Sequence, residues 1–170
     1  MASSIGAKAS TSYLTSKPAV IVLLGPTGSG KSYFIRAATE DPSVKVGHGL
    51  ESETQAIAAY HTTIDGSAVL LVDTIGFDGT FQSDADVLRQ IATWLAQTYA
   101  NGVRMAGILY MHDIRSVQFG GSAVKNLRMF EKMLGADALN NTVFVANQWA
   151  DTCCQEAEAK LNELVQSPKF

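Results

Sequence analysis

Apolar positions along the chain fall into two alternating kinds of run. The first is short, continuous and rich in β-branched residues: Ala19-Val20-Ile21-Val22-Leu23-Leu24, closed by Gly25, predicts a strand buried on both faces of a parallel sheet. Ala106 to Met111 and Thr142 to Ala146 read the same way. Between them, Ala58 to Ile64 and Ser67 to Val72 meet across Asp65-Gly66, a dipeptide tolerant of positive φ, which predicts a tight antiparallel hairpin. The second kind of run has helical period. Val87, Ile91, Trp94, Leu95 and Thr98 follow Ser83-Asp84 and stop at Asn101-Gly102, while Leu127, Phe130 and Leu134 lie between Ser122 and Gly135. Ala157, Leu161, Leu164 and Val165 follow Thr152 and Gln155, which are spaced as a capping box. Strand alternating with helix predicts an α/β fold of three layers, with helices on both faces of a mostly parallel sheet that carries one antiparallel hairpin strand.

Composition narrows the class. A chain of 170 residues with 46% apolar and 17% charged side chains has the balance of one water-soluble domain, and no apolar run approaches the length of a transmembrane segment. Thirteen basic against sixteen acidic residues give a net charge of -3, too small an excess to attract a polyanion, so nucleic acid is not expected as the main ligand. The two cysteines, Cys153 and Cys154, are adjacent, which suits neither a disulfide nor metal-ligand spacing and fits a reducing, cytoplasmic setting. Residues 1–17, MASSIGAKASTSYLTSK, are rich in Ser, Ala and Thr with no acid and no sustained apolar period; a flexible tail is expected there, with order beginning at Pro18.

The chemistry sits directly after the first strand. Gly25-Pro26-Thr27-Gly28-Ser29-Gly30-Lys31-Ser32 satisfies G-x-x-x-x-G-K-[ST] and leads into Tyr33-Phe34-Ile35-Arg36, a helix start. Backbone N–H groups can surround a polyphosphate only where the loop adopts conformations that a Cβ forbids, which Gly25, Gly28 and Gly30 permit. The N–H groups of Gly28, Ser29, Gly30, Lys31 and Ser32, with the positive end of the helix dipole, then face the anion, and Thr27 completes the loop. Lys31 is expected to reach the β- and γ-phosphates and the Ser32 hydroxyl to ligate Mg²⁺. The ligand read from these residues is a nucleoside triphosphate.

A second element closes the third strand: Leu70-Leu71-Val72-Asp73-Thr74-Ile75-Gly76. Asp73 is expected to hold Mg²⁺ through a water and the Gly76 N–H to sense the γ-phosphate.

GPTGSGKS, HGLESETQAI and LLVDTIGFDGT together resemble the septin-like superfamily of P-loop GTPases that also holds the Toc and immunity-associated (GIMAP) proteins. The likeness is closest to fungal G-domain proteins in which GHGLES-T, DTIGFD and GGS-x-x-KNLRMF recur, the last matching Gly120 to Phe130. The resemblance implies binding of GTP and GDP with Mg²⁺, slow hydrolysis and self-association of two copies through the nucleotide face. By position it makes Gly47 to Thr54 the first switch and Thr54 the hydroxyl that closes on Mg²⁺, with Ser52 as the alternative. Lys31, Thr54 and Gly76 are then the residues expected at the reacting phosphate. Phe77 stands where Ras-like enzymes keep a water-orienting Gln, so hydrolysis is expected to be slow. His48 is either a helper beside the γ-phosphate or an uncommitted surface side chain; His61 and His112 are given no role.

Two features depart from the family pattern. GTPases of this kind read guanine with the Asp of [NT]-K-x-D, whereas the fifth strand is followed by Asn147-Gln148-Trp149-Ala150-Asp151, with the Asp one position late and Gln in place of Lys. Asn147 and Asp151 are expected to bind the base through a bulged loop, with Trp149 stacked on the purine. An ATP-using P-loop enzyme and a non-catalytic interaction module remain the alternatives. The second departure is length: residues 18–170 are expected to form a G domain lacking its last strand and helix, which leaves a sheet edge open to pairing with a second copy.

Overall fold

A computed structural model describes residues 17–47, 54, 56–79, 82–103, 105–115, 121–134, 140–149 and 154–166. Their strands are β1 (Ala19–Leu24), β2 (Ala58–Ile64), β3 (Ser67–Asp73), β4 (Met105–Asp113) and β5 (Thr142–Asn147), and their helices are α1 (Lys31–Thr39), α2 (Asp84–Ala100), α3 (Gly121–Leu134) and α4 (Cys154–Gln166). The strands form one sheet in the order β2-β3-β1-β4-β5, in which only β2 and β3 run antiparallel. The α/β architecture read from periodicity is therefore the observed one. Cys154 begins α4, and the Thr152 of the expected capping box lies outside the described residues, as does the tail through residue 16.

Hairpin chemistry explains the antiparallel pair. Asp65 and Gly66 both take positive φ, 48° and 76°, the left-handed pair that a two-residue turn needs to match strand twist, and Ile64 pairs directly with Ser67. At the centre, β1 pairs in parallel with β3 on one side and β4 on the other, so its apolar residues have sheet neighbours at both edges and helices over both faces. Val20, Val22 and Leu24 point to one face, where they bury with Val87, Leu88, Ile91 and Leu95 of α2 and Phe130 of α3. Leu23 points to the other and packs with Ile35 of α1, Val69, Leu71 and Met111. Each fully buried aliphatic side chain stabilises the fold by about 1.5–3 kcal/mol relative to exposure, so these two clusters carry most of the driving force.

The ends of α2 show local signals acting as expected. The Ser83 side chain accepts from the Asp86 N–H at 3.2 Å, and Asp84 and Asp86 place acids in the first turn. Gly102, at φ 71°, terminates the helix, and the Lys17 ammonium donates to the carbonyls of Asn101 and Gly102 at 3.2 and 2.9 Å. One expectation is corrected. Thr142 to Ala146 reads as a strand buried on both faces, but Val143 and Phe144 are 58% and 43% exposed, because β5 is the outermost strand of the described sheet and only β4 pairs with it. Among the described residues no helix is long and apolar enough to cross a membrane.

The topology fixes where a ligand binds. The chain leaves β1 toward α1 on one face and leaves β3 toward α2 on the other, which opens a crevice at the carboxyl ends of these neighbouring strands. Leu23 pairs with Asp73, so the glycine-rich loop and the Asp73 segment emerge side by side.

Candidate nucleotide site

The loop is shaped by close backbone approaches. Gly25 takes φ 141°, and a Cβ there would fall on the Met111 carbonyl of β4. Gly30 caps α1 at φ 88° with no side-chain hydrogen bond, so the N–H groups of the first turn point out of the helix unclaimed by a cap. Lys31 is buried and its Nζ donates to the carbonyls of Gly25 at 3.0 Å and Pro26 at 2.9 Å, which arches the ammonium back over the loop. Burial lowers its pKa to about 8, with the Asp73 carboxylate acting in the opposite direction.

Three oxygen-bearing side chains from separate elements converge beside it. Ser32 Oγ, in α1, donates to Asp73 Oδ2, at the end of β3, at 2.6 Å, and it lies 3.2 Å from Thr54 Oγ1. Burial pushes the Asp73 carboxyl upward, against the lowering effects of the Ser32 hydrogen bond, the Lys31 charge and Thr54. Asp73 Oδ1 is buried and accepts no hydrogen bond among the described residues. Two hydroxyls and one carboxylate, with one of its oxygens buried and unspent, form a hard-donor set that fits Mg²⁺ if phosphate oxygens and water supply the remaining ligands. Among the described residues no group of three or more His, Cys, Asp or Glu is arranged to hold a metal.

The segment after Asp73 is tied to the loop. Thr74 Oγ1 donates to the Leu23 carbonyl at 2.6 Å, Phe77 N donates to Gly25 O at 3.2 Å, and Thr27 N donates to Phe77 O at 2.9 Å. Gly76 lies against Thr27 so closely that a Cβ on it would stand 2.5 Å from the Thr27 N, Cα and Oγ1. Phe77 does not face the loop at all: its ring is 1% exposed and belongs to the α2-side core.

On the far side, Asn147 at the end of β5 donates from Nδ2 to the Ser29 carbonyl at 2.5 Å, and its amide sits where a Cβ on Gly30 would be. Gln148 takes φ 65°. Trp149 donates its indole N–H to the Ala146 carbonyl at 2.7 Å, which leaves only the ring face for contact with a ligand. Thus Lys31, Ser32, Thr54, Asp73, Gly76 and Asn147 gather around the glycine-rich loop, and Trp149 stands beside Asn147. Asp151, Ser52 and His48 lie outside the described residues.

A family model described as "50S ribosome-binding GTPase" matches residues 20–148. The chain belongs to this GTPase family. No curated protein matches it in sequence. The fold of this GTPase domain is similar to that of Toc33 from Arabidopsis thaliana in a dimerization-deficient mutant form, with a TM-score of 0.72 at 14% identity over 88% of this chain and 61% of that one. Toc33 in complex with Mg²⁺ and GMPPNP gives a TM-score of 0.70 at 15% identity over 88% and 60%. Era in complex with MgGDPNP and a segment of 16S ribosomal RNA gives 0.65 at 14% identity over 92% and 49%. At these identities the likeness is one of fold, and the chain spans 61% of the first Toc33 chain it matches.

Sequence reasoning missed a polar link behind the site of this GTPase domain. Asp84, in the first turn of α2, accepts the Asp78 N–H at 3.0 Å on one carboxylate oxygen and the Asn126 amide at 2.9 Å on the other. Asn126 is 1% exposed. The available signal was its place four residues before Phe130, on the apolar stripe of α3, where its amide N–H meets Asp84 and its Oδ1 has no partner among the described residues.

Proposed function

We propose that this chain is a Mg²⁺-dependent guanine-nucleotide-binding domain that hydrolyses GTP slowly and acts as a nucleotide-controlled switch or self-assembly module of the septin, Toc and GIMAP-like kind, resembling fungal G-domain proteins. One observation carries the reading: Ser32 and, 22 and 41 residues after it, Thr54 and Asp73 place their oxygens together beside the buried Lys31 ammonium. Ser32, Thr54 and Asp73 would hold a Mg²⁺ ion, whose chemistry would be to withdraw charge from the terminal phosphoryl group. The chain's own residues do the rest: loop N–H groups and Lys31 hold the phosphates, Ser32 and Thr54 ligate the ion with Asp73 in support, and the Gly76 N–H meets the γ-phosphate. Asn147 fixes the base loop against Ser29, and the Trp149 face and Asp151 receive the purine.

Support for guanine rather than adenine comes from the family and from the Mg²⁺ and GMPPNP complex of Toc33. For two copies of the chain, the nucleotide face and the β5 edge with its exposed Val143 and Phe144 are the surfaces of contact. In the chloroplast translocon components Toc33 and Toc159, dimerization is important for GTPase activity. A cytoplasmic setting without a nucleic-acid partner completes the reading, supported by the net charge of -3.

Competition of GTP and ATP against a fluorescent GTP analogue tests the base, since equal displacement overturns guanine selectivity. Single-turnover hydrolysis by wild type and Lys31→Ala tests the chemistry. A slow rate in wild type that vanishes in the variant is expected; binding without turnover in wild type makes the domain an interaction module.

A further inference from the structure

Within this reading of the site as a GTPase, one group near the expected γ-phosphate has no structural task. Thr27 Oγ1 is buried and has no hydrogen-bond partner among the described residues. Left that way, the hydroxyl is a net cost to folding, and a threonine kept only to fill space would be served equally by valine. Its position is well defined. Cβ atoms built on Gly76 and Gly79 would stand 2.5 and 3.3 Å from it, so it lies in the notch where the loop meets the turn after Asp73. The reciprocal Thr27–Phe77 and Phe77–Gly25 backbone hydrogen bonds, at 2.9 and 3.2 Å, hold the two sides of that notch together.

None of the three residues that follow Thr74 is equipped for the task of orienting water there. Ile75 and Phe77 are apolar and buried in the α2-side core, and Gly76 has no side chain. Lys31 donates but cannot accept, so it binds phosphate oxygen and not a water proton. A hydroxyl does both: it accepts one hydrogen bond from water and donates one to an anionic oxygen.

We propose that the Thr27 hydroxyl is the group that positions the attacking water, taking the place that a side chain after Gly76 leaves unfilled. Thr27 Oγ1 accepts from the water and donates to a γ-phosphate oxygen, which turns a water lone pair toward phosphorus. The water oxygen bonds to the γ-phosphorus as the bond to the β–γ bridging oxygen breaks; the electron pair leaves with GDP and the water proton passes to a γ-phosphate oxygen. Thr27 ends the cycle unchanged. A hydroxyl is a feeble proton acceptor, which accords with slow turnover.

The test measures single-turnover GTP hydrolysis with Mg²⁺ and, separately, affinity for fluorescent GDP. Thr27→Val keeps the shape and removes the hydroxyl, and it is expected to slow hydrolysis by about tenfold or more while GDP affinity stays within about twofold. Thr27→Ser restores the hydroxyl and is expected to recover at least about a third of the wild-type rate. Thr27→Ala serves as the second hydroxyl-free variant should valine disturb folding. Hydrolysis at the wild-type rate by a folded, GDP-binding hydroxyl-free variant overturns the role of Thr27 alone. Absence of GTP binding or hydrolysis in wild type overturns the GTPase reading and the proposal with it.

Discussion

Asn147 and Ser29, 118 residues apart, are joined by a hydrogen bond from the Asn147 amide to the Ser29 carbonyl. The bond fastens the end of β5 to the middle of the glycine-rich loop, so the segment expected to receive the base and the segment expected to grip the phosphates move as one. Asn147→Ala frees the Ser29 carbonyl and is expected to cost about 1–3 kcal/mol of stability. It also weakens binding of GTP and ATP alike, because it loosens the loop rather than the base contact. Thermal unfolding and parallel titrations with the two nucleotides check this; a variant that loses only GTP assigns Asn147 to base recognition.

Lys31 sets stability against function. Its buried ammonium is depressed to about 8, a sign that burial is costly to the charge. The carbonyls it bonds have other donors: Gly25 O also accepts from Phe77 N and Pro26 O from Ser29 N. Lys31→Met therefore orphans neither. It is expected to leave ligand-free stability unchanged or raise it by about 1–3 kcal/mol, and to reduce triphosphate affinity by about a hundredfold or more. Calorimetry on the folded variant measures both, and a lower melting temperature refutes the first half.

The Asp84–Asn126 bond couples α2 to α3 beneath the turn that follows Gly76. Asp84 is also held by the Asp78 N–H, so the two substitutions are not expected to add. A double-mutant cycle with Asp84→Ala and Asn126→Ala is expected to return a coupling energy of about 1–2 kcal/mol. A value indistinguishable from zero would show that the link contributes nothing to the fold.

His112 supplies a pH dependence. It is buried at the end of β4, and that burial disfavours its imidazolium, with Asp113 opposing, so its pKa lies below the ordinary 6.5. Between the unfolded and folded values the unfolded chain holds more protons. The contribution is therefore intact above about pH 6.5 and declines as pH falls through that window. Melting temperature is expected to drop from about pH 7.5 to about 5.5, and to drop less in His112→Gln. Equal slopes in the two proteins would assign the acid limb to other groups.

Much of this fold was legible because its signals are local. The β-branched run of β1, the Asp65-Gly66 turn and the stripe on α2 each depend on a few neighbouring residues, and each formed where read. The glycine-rich loop was legible for the same reason. What local pattern could not supply was neighbourhood. Nothing in Val143-Phe144 distinguishes an outer strand from an inner one, since that depends on which strand lies beyond. Phe77 was placed near the γ-phosphate by its position after Gly76, yet the backbone turns its ring into the core, where an aromatic side chain is far better satisfied. Asn126 and Asp84 likewise acquire their meaning only when α2 and α3 meet.

The central place of β1 has a consequence for how this molecule exchanges its amide hydrogens. Strand neighbours on both sides and apolar cover above and below leave Val20 to Leu24 able to exchange only when the whole domain opens. The loop that grips the anion is the direct continuation of that strand, so every increment of ligand affinity is added to the same opening reaction. The slowest amides in the sheet thereby report occupancy of a pocket that none of them touches.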